Sequence, residues 1–190
     1  MGRLIFITGG ARSGKSAFAV RTAKDINAGK AAFVATCVPE DDEMKRRVAL
    51  HKKNRPSSWR TIEAGWDLLK GLRTIGPEIE VTIIDCLTLF ISGLLMRGQK
   101  ANEIKRQVKA VARFLSKAPY TTIMVSNEVG AGIVPDNRLS REFRDAAGIA
   151  NQFIAKAADE VYFVVSGIPV KIKNVEALGD GEVKKHNSED

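Results

Sequence analysis

Eight consecutive residues near the amino terminus, Gly9-Gly10-Ala11-Arg12-Ser13-Gly14-Lys15-Ser16, fit the pattern G-x-x-x-x-G-K-[ST]. The residue types say what this loop can do. Glycines let the backbone curl until successive N–H groups and the start of the next helix face an anion. The Lys15 ammonium would neutralise β- and γ-phosphate oxygens, and the Ser16 hydroxyl would hold Mg2+. The pattern arises by chance in about one chain in a hundred of this length, so context decides. Arg3-Leu-Ile-Phe-Ile-Thr8 before it reads as a buried strand, and Ser13 to Asn27 after it has helical spacing. A ligand-free glycine turn is the competing reading, and the strand and helix around the loop favour a bound nucleoside triphosphate.

Two acids stand where a phosphate loop needs them. Asp85 closes the apolar run Val81-Thr-Ile-Ile-Asp85, the expected place of an acid near Mg2+. A helix cap for the segment from Leu87 is its alternative role. Glu128 follows the run Thr121 to Ser126 and is read as a second metal-side acid or as the acceptor of a proton from an attacking hydroxyl. A surface glutamate is the simpler alternative.

His51 lies in a segment, Lys45 to Arg60, that carries seven basic residues and no acid. Neighbouring cations lower an imidazole's pKa and keep it neutral, hence nucleophilic, near pH 7. Attack on phosphorus with loss of pyrophosphate would give a nucleotidyl-histidine. On residue types alone, a solvated histidine on a basic helix is the simpler reading. Two histidines and two distant cysteines cannot build a zinc site. Cys37 and Cys86 read as small buried fillers, and Trp59 and Trp66 as core.

These residues need a scaffold with its strand ends on one edge. Further strands are expected at Ala31 to Thr36, Glu160 to Val165 and Ile168 to Lys173. Helices are expected from Asp41 to about Asn54, Trp66 to Leu72, Leu87 to Met96, Ala101 to Ser116 and Arg138 to Ala157. In the last, Leu139, Phe143, Ala146, Ala150, Phe153 and Ala157 form an apolar stripe, and Arg138, Arg141 and Arg144 read as its solvated face. Alternation of strand and helix predicts an α/β fold: a single P-loop NTPase-like domain over residues 1–173, mostly parallel, with helices on both faces. Ligands then bind beyond the carboxyl ends of the strands.

With 190 residues, 44% hydrophobic and 27% charged, the chain is too apolar for general disorder. No apolar run approaches the roughly 20 residues of a membrane span, and no secretory signal or disulfide framework is present. A cytoplasmic location is expected. The net charge of +8 suits an anionic partner. Residues 174–190 hold five acids and two lysines without apolar periodicity and read as a mobile acidic tail.

Several segments together resemble one family. They are Thr8 to Ser16, Val34-Ala-Thr36, Asp41-Asp-Glu-Met44, His51-Lys-x-x-Arg-Pro56 with Trp59-Arg-Thr-x-Glu63, and Asp85-Cys-Leu-Thr88. Asn127-Glu-Val-Gly-x-Gly-Ile-Val-Pro135, Arg138-Leu-x-Arg-x-Phe-Arg-Asp-x-Ala-Gly148 and Ser166-Gly-Ile-Pro-Val-Lys171 complete the set. In order and spacing they are similar to the bifunctional adenosylcobinamide kinase/adenosylcobinamide-phosphate guanylyltransferases of cobalamin biosynthesis. The resemblance implies phosphorylation of the corrinoid's aminopropanol hydroxyl, then transfer of GMP from GTP through a guanylylated histidine matched by His51. It implies guanosine contacts at Ala35, Thr36, Lys52, Lys53, Asn54, Arg55 and Glu63, use of GTP or ATP with Mg2+, and a homotrimer. Relatives often have histidine where this chain has Leu50. A single-activity kinase or guanylyltransferase is the first alternative. The second is a basic nucleotide switch or nucleic-acid-binding ATPase, against which the His-Lys-x-x-Arg-Pro and Asn-Glu-Val-Gly segments count; no nucleic-acid partner is expected.

Overall fold

The structure is a computed structural model that describes residues 2–39, 42–53 and 56–174. The acidic tail expected beyond residue 174 lies outside the described residues. Seven strands form one sheet: β1 (Leu4–Gly9), β2 (Ala31–Ala35), β3 (Arg60–Glu63), β4 (Val81–Asp85), β5 (Thr121–Asn127), β6 (Glu160–Val165) and β7 (Ile168–Asn174). Six helices connect them: α1 (Lys15–Asn27), α2 (Asp42–Lys53), α3 (Leu68–Arg73), α4 (Leu87–Met96), α5 (Ala101–Leu115) and α6 (Arg138–Ala157). The strand order is β3-β2-β4-β5-β1-β6-β7, with every pair parallel except β6–β7. This is the expected α/β architecture.

The central strands are apolar throughout because both their faces are covered. In β1, Leu4 and Phe6 enter one core while Ile5 and Ile7 enter the other. Residues of α3, α4, α5 and α6 complete the first core, and Ala19 and Ala23 of α1 belong to the second.

Three differences from the sequence reading have physical causes. The first helix begins at Lys15 rather than Ser13, because Gly14 takes a left-handed conformation, φ 93°, that ends the loop. The short helix begins at Leu68 rather than Trp66, because the Asp67 side chain caps it by accepting from the Lys70 N–H. Strand β3 was not anticipated; it is four residues long with only Ile62 partly buried.

Along α6 the buried residues are Ala146, Ala147, Ala150, Asn151 and Ile154, while Leu139 at the start of the expected stripe is exposed. The arginines of this helix also divide. Arg138 pairs with Glu142 and Arg144 with Asp145, but Arg141 turns back to donate to the carbonyls of Pro135 and Asp136. Arg141 therefore braces the loop before its own helix instead of lying on a solvated face.

Candidate active site

The phosphate loop joins the end of β1 to α1. Left-handed backbone at Arg12 (φ 56°) and Gly14 (φ 93°) curls it. Such a curl turns successive N–H groups toward one point. Among the described residues, α1 has no side-chain cap hydrogen bond at Gly14, so its first-turn N–H groups remain suited to an anion. At Gly9 a Cβ would sit 2.5 Å from the Val164 carbonyl oxygen and 2.9 Å from Ser13 Oγ, so only glycine fits there. The hairpin turn Ser166-Gly167, with both φ positive, has the backbone of a tight type I′ connection. From it the Gly167 N–H donates to the Ser13 carbonyl at 2.9 Å. Gly10 and Ser16 are half-buried and Ala11 and Arg12 exposed.

Lys15 is only 7% exposed, and its Nζ donates to the Gly10 carbonyl at 2.8 Å. Burial lowers its pKa below the ordinary lysine value, and Cys86 and Asp85 nearby push it back up. Burial also pushes the Cys86 thiol up to about 12. That thiol is therefore neutral near pH 7, and the anion Lys15 faces is Asp85. Thr8 Oγ1 and Ser13 Oγ are buried at this loop and have no hydrogen-bond partner among the described residues, polar atoms that fit a phosphate-bearing ligand.

Asp85 ends β4, and the helix after it is capped at Cys86, so the helix-cap role proposed for Asp85 belongs to the next residue. Strand β5 lies between β1 and β4 and delivers Glu128, whose N–H donates to the Gly9 carbonyl at 2.9 Å. Glu128 Oε1 accepts from the Gly130 N–H at 2.7 Å. Ser16, Asp85 and Glu128 are half-buried oxygen donors on one sheet edge, a set suited to a hard dication. No cluster of three His, Cys, Asp or Glu occurs among the described residues. Mg2+ requires none, because it takes most of its ligands from water and substrate phosphates.

Behind these acids runs a buried polar chain to which the sequence reading gave no role. Thr88 Oγ1 lies 3.0 Å from Cys86 Sγ and accepts from Asn127 Nδ2 at 3.0 Å. Asn151 of α6 accepts from the Ser126 hydroxyl at 2.7 Å and donates to the Asn127 carbonyl at 3.2 Å. Asn151 interrupts an alanine-rich buried face, and that was the available sequence signal.

A second locus lies toward the β3 edge. Ala35 and Glu63 are register partners at the ends of β2 and β3. The Ala35 carbonyl accepts from the N–H groups of Ala64 and Gly65, at 2.9 and 3.3 Å. A cavity of about 860 Å³ opens beside them, lined by Cys37, Glu63, Trp66, Lys70 and Arg97 among others. Trp66 packs against the core with one side, as expected, and lines the cavity with the other, where Arg97 stacks 4.2 Å from its ring centroid. Trp59 is core, as expected, and donates to the Ala28 carbonyl. Four strand spacings separate β3 from β1, so the two loci lie roughly 19 Å apart along the edge. The helix carrying His51, α2, follows β2 on this side. The side chains of His51, Lys52 and Lys53, and all of Asn54 and Arg55, lie outside the described residues.

Among the described residues no helix is long and apolar enough to cross a membrane. A family model for cobinamide kinase / cobinamide phosphate guanyltransferase matches residues 5–172. The chain is 41% identical over 184 residues to the bifunctional adenosylcobalamin biosynthesis protein CobU of Salmonella typhimurium, covering 90% of this chain and 99% of that protein. Against the bifunctional adenosylcobalamin biosynthesis protein CobP of Pseudomonas aeruginosa it is 38% identical over 167 residues, covering 88% and 95%. A solved structure from Pyrococcus horikoshii OT3 shares the fold alone, with a TM-score of 0.56 and 8% identity over 92% of this chain and 87% of that one.

Proposed function

We propose a function from one premise: the chain belongs to the cobinamide kinase / cobinamide phosphate guanyltransferase family. It is a bifunctional enzyme of cobalamin biosynthesis, and our proposal concerns how its residues divide the work. In the kinase reaction, the corrinoid hydroxyl attacks the γ-phosphorus of GTP or ATP. The bond to the β–γ bridging oxygen breaks, the nucleoside diphosphate leaves, and the hydroxyl proton is released to water. In the second reaction, a neutral nitrogen of His51 attacks the α-phosphorus of GTP. A P–N bond forms, the α–β bridging P–O bond breaks, and pyrophosphate departs with the electron pair. An oxygen of the corrinoid phosphate then displaces the histidine, giving adenosylcobinamide-GDP.

The loop Gly9 to Ser16 cradles the phosphates in both reactions, with Lys15 neutralising the transferred γ-phosphoryl or the departing pyrophosphate. Ala35, Lys52, Lys53, Asn54, Arg55 and Glu63, with the main chain at Thr36, form the guanosine side. Ser16, Asp85 and Glu128 would hold Mg2+, which when bound supplies charge neutralisation at phosphate oxygens. The folded unit spans residues 1–173, works in the cytoplasm and assembles as a homotrimer. An edge strand that leaves Ile168, Val170 and Ile172 exposed at 66, 48 and 61% supports the assembly.

The observation that carries this reading is that α2, with His51, follows the strand end beside Asp85, on the same edge as the phosphate loop. The test is an intact mass after incubation with GTP and Mg2+. The wild type should gain one GMP and the His51→Ala variant none, while the variant keeps its kinase turnover. A GTP-binding wild type without an adduct would remove the guanylyl-transfer assignment and leave a kinase.

A further inference from the structure

Thr36 sits one residue past β2 and is 2% exposed. Its hydroxyl donates to the Cys86 carbonyl at 2.7 Å and accepts from the Cys86 N–H at 2.8 Å. Its own N–H donates to the Asp85 carbonyl at 3.3 Å. A hydroxyl offers one hydrogen and two lone pairs, so its only hydrogen and one lone pair are already spent on one neighbour. That use leaves no donor for a nucleotide. The sequence resemblance places Thr36 at the guanosine, but the geometry gives its hydroxyl another task.

The ladder between β2 and β4 ends at the pair Ala35–Asp85. Cys86, the next residue, caps α4 and must redirect the chain from strand to helix. Its carbonyl also accepts the Phe90 N–H at 3.2 Å. The buried Cys86 N–H has the Thr36 hydroxyl as its acceptor, and burial without one would be costly. Thus the backbone of Asp85 is held on one side by the ladder and on the other by Thr36. The direction of its carboxylate depends on both.

We propose that Thr36 is a positioning residue for Asp85, fixing the carboxylate through the Cys86 backbone rather than touching the nucleotide with its hydroxyl. This rests on the reading of Asp85 as the metal-side acid. The test is equilibrium binding of a non-hydrolysable GTP analogue, with Mg2+ and with EDTA, so no turnover enters. The gain in affinity on adding Mg2+ is the quantity compared.

In Thr36→Val the gain should shrink about tenfold, as when a residue supporting a metal ligand is lost, with EDTA affinity unchanged. Thr36→Ser, which keeps the hydroxyl, should stay within about twofold of wild type. On an Asp85→Asn background, Thr36→Val should cost less than about twofold more, because the group it positions is gone. Thr36→Ala replaces the valine variant if thermal melts show that valine does not fold. A wild-type gain in the hydroxyl-free variant overturns the proposal, as does an equal loss in both backgrounds. An Asp85→Asn variant that keeps the full Mg2+ gain instead overturns the metal-side reading of Asp85, and it is read separately from the single variant.

Discussion

The phosphate-loop end and the proposed guanosine end of this sheet edge are built on opposite terms. At the first, β1, β5 and β4 are interior strands, Lys15 is buried, and the loop is tied down at Gly9, Gly10 and Ser13. At the second, β3 is an edge strand with exposed Arg60, Thr61 and Glu63, opening on a cavity lined by long polar side chains. The contrast follows the chemistry. Phosphate oxygens are common to both proposed reactions, and fixed donors stabilise developing charge best when they need no reorganisation. In the proposed guanylyl transfer GTP must enter, deliver its α-phosphorus to His51 and release pyrophosphate, which suits an open edge.

If the two ends divide the work in this way, the largest effect comes from removing what they share. Lys15→Met should lower both phosphoryl and guanylyl transfer by about a hundred- to a thousandfold in kcat/KM, the loss typical of one preorganised charge-stabilising donor. Steady-state rates for each half-reaction, started from its own corrinoid substrate, check this. Loss of the kinase alone would mean that pyrophosphate does not leave through this loop, and the comparison would break.

A smaller, one-sided effect is expected at Gly93 of α4. A Cβ there would lie 2.6 Å from Cδ1 of Trp66, so alanine must displace the indole that walls the cavity. Gly93→Ala should raise the KM for GTP in guanylyl transfer about tenfold and leave phosphorylation by ATP within about twofold. An equal loss in both reactions would show that the cavity does not belong to the guanosine side alone.

The same division decided what could be read from the sequence. Interior strands such as Val81–Asp85 and Thr121–Asn127 are covered on both faces and therefore stand out as apolar runs. The phosphate loop is contiguous, so its types and spacing lie in eight residues. Strand β3 has one partly buried side chain in four and offers no pattern. The bonds from Thr36 to Cys86 and from Ser126 to Asn151 join residues 50 and 25 positions apart. No local periodicity encodes them. His51 is chemically ambiguous as one histidine among cations, and its proposed role rests on the motif around it. Arg141 was misread because helical phase cannot show a side chain reaching back past its own N-terminus.

The least disruptive way to sharpen the comparison is to titrate Lys15. Burial sets its pKa below 10.5, and the neighbouring Asp85 carboxylate opposes that fall. The protonated form binds phosphate, so affinity is full below the folded pKa and is lost as pH rises through it. Metal-free binding of ATP, whose own groups do not titrate in the alkaline range, should therefore weaken at a pH below that of an ordinary lysine. Asp85→Asn removes the opposing charge and lowers the Lys15 pKa further, so the loss should begin at a lower pH than in the wild type. Glu63→Gln, at the far end of the edge, should leave this curve where it is. A shift in the Glu63 variant would show that charge at the two ends is coupled in a way the roughly 19 Å between them forbids in screened solution. A rise in the Asp85 variant would show that Asp85 does not oppose the fall in the Lys15 pKa.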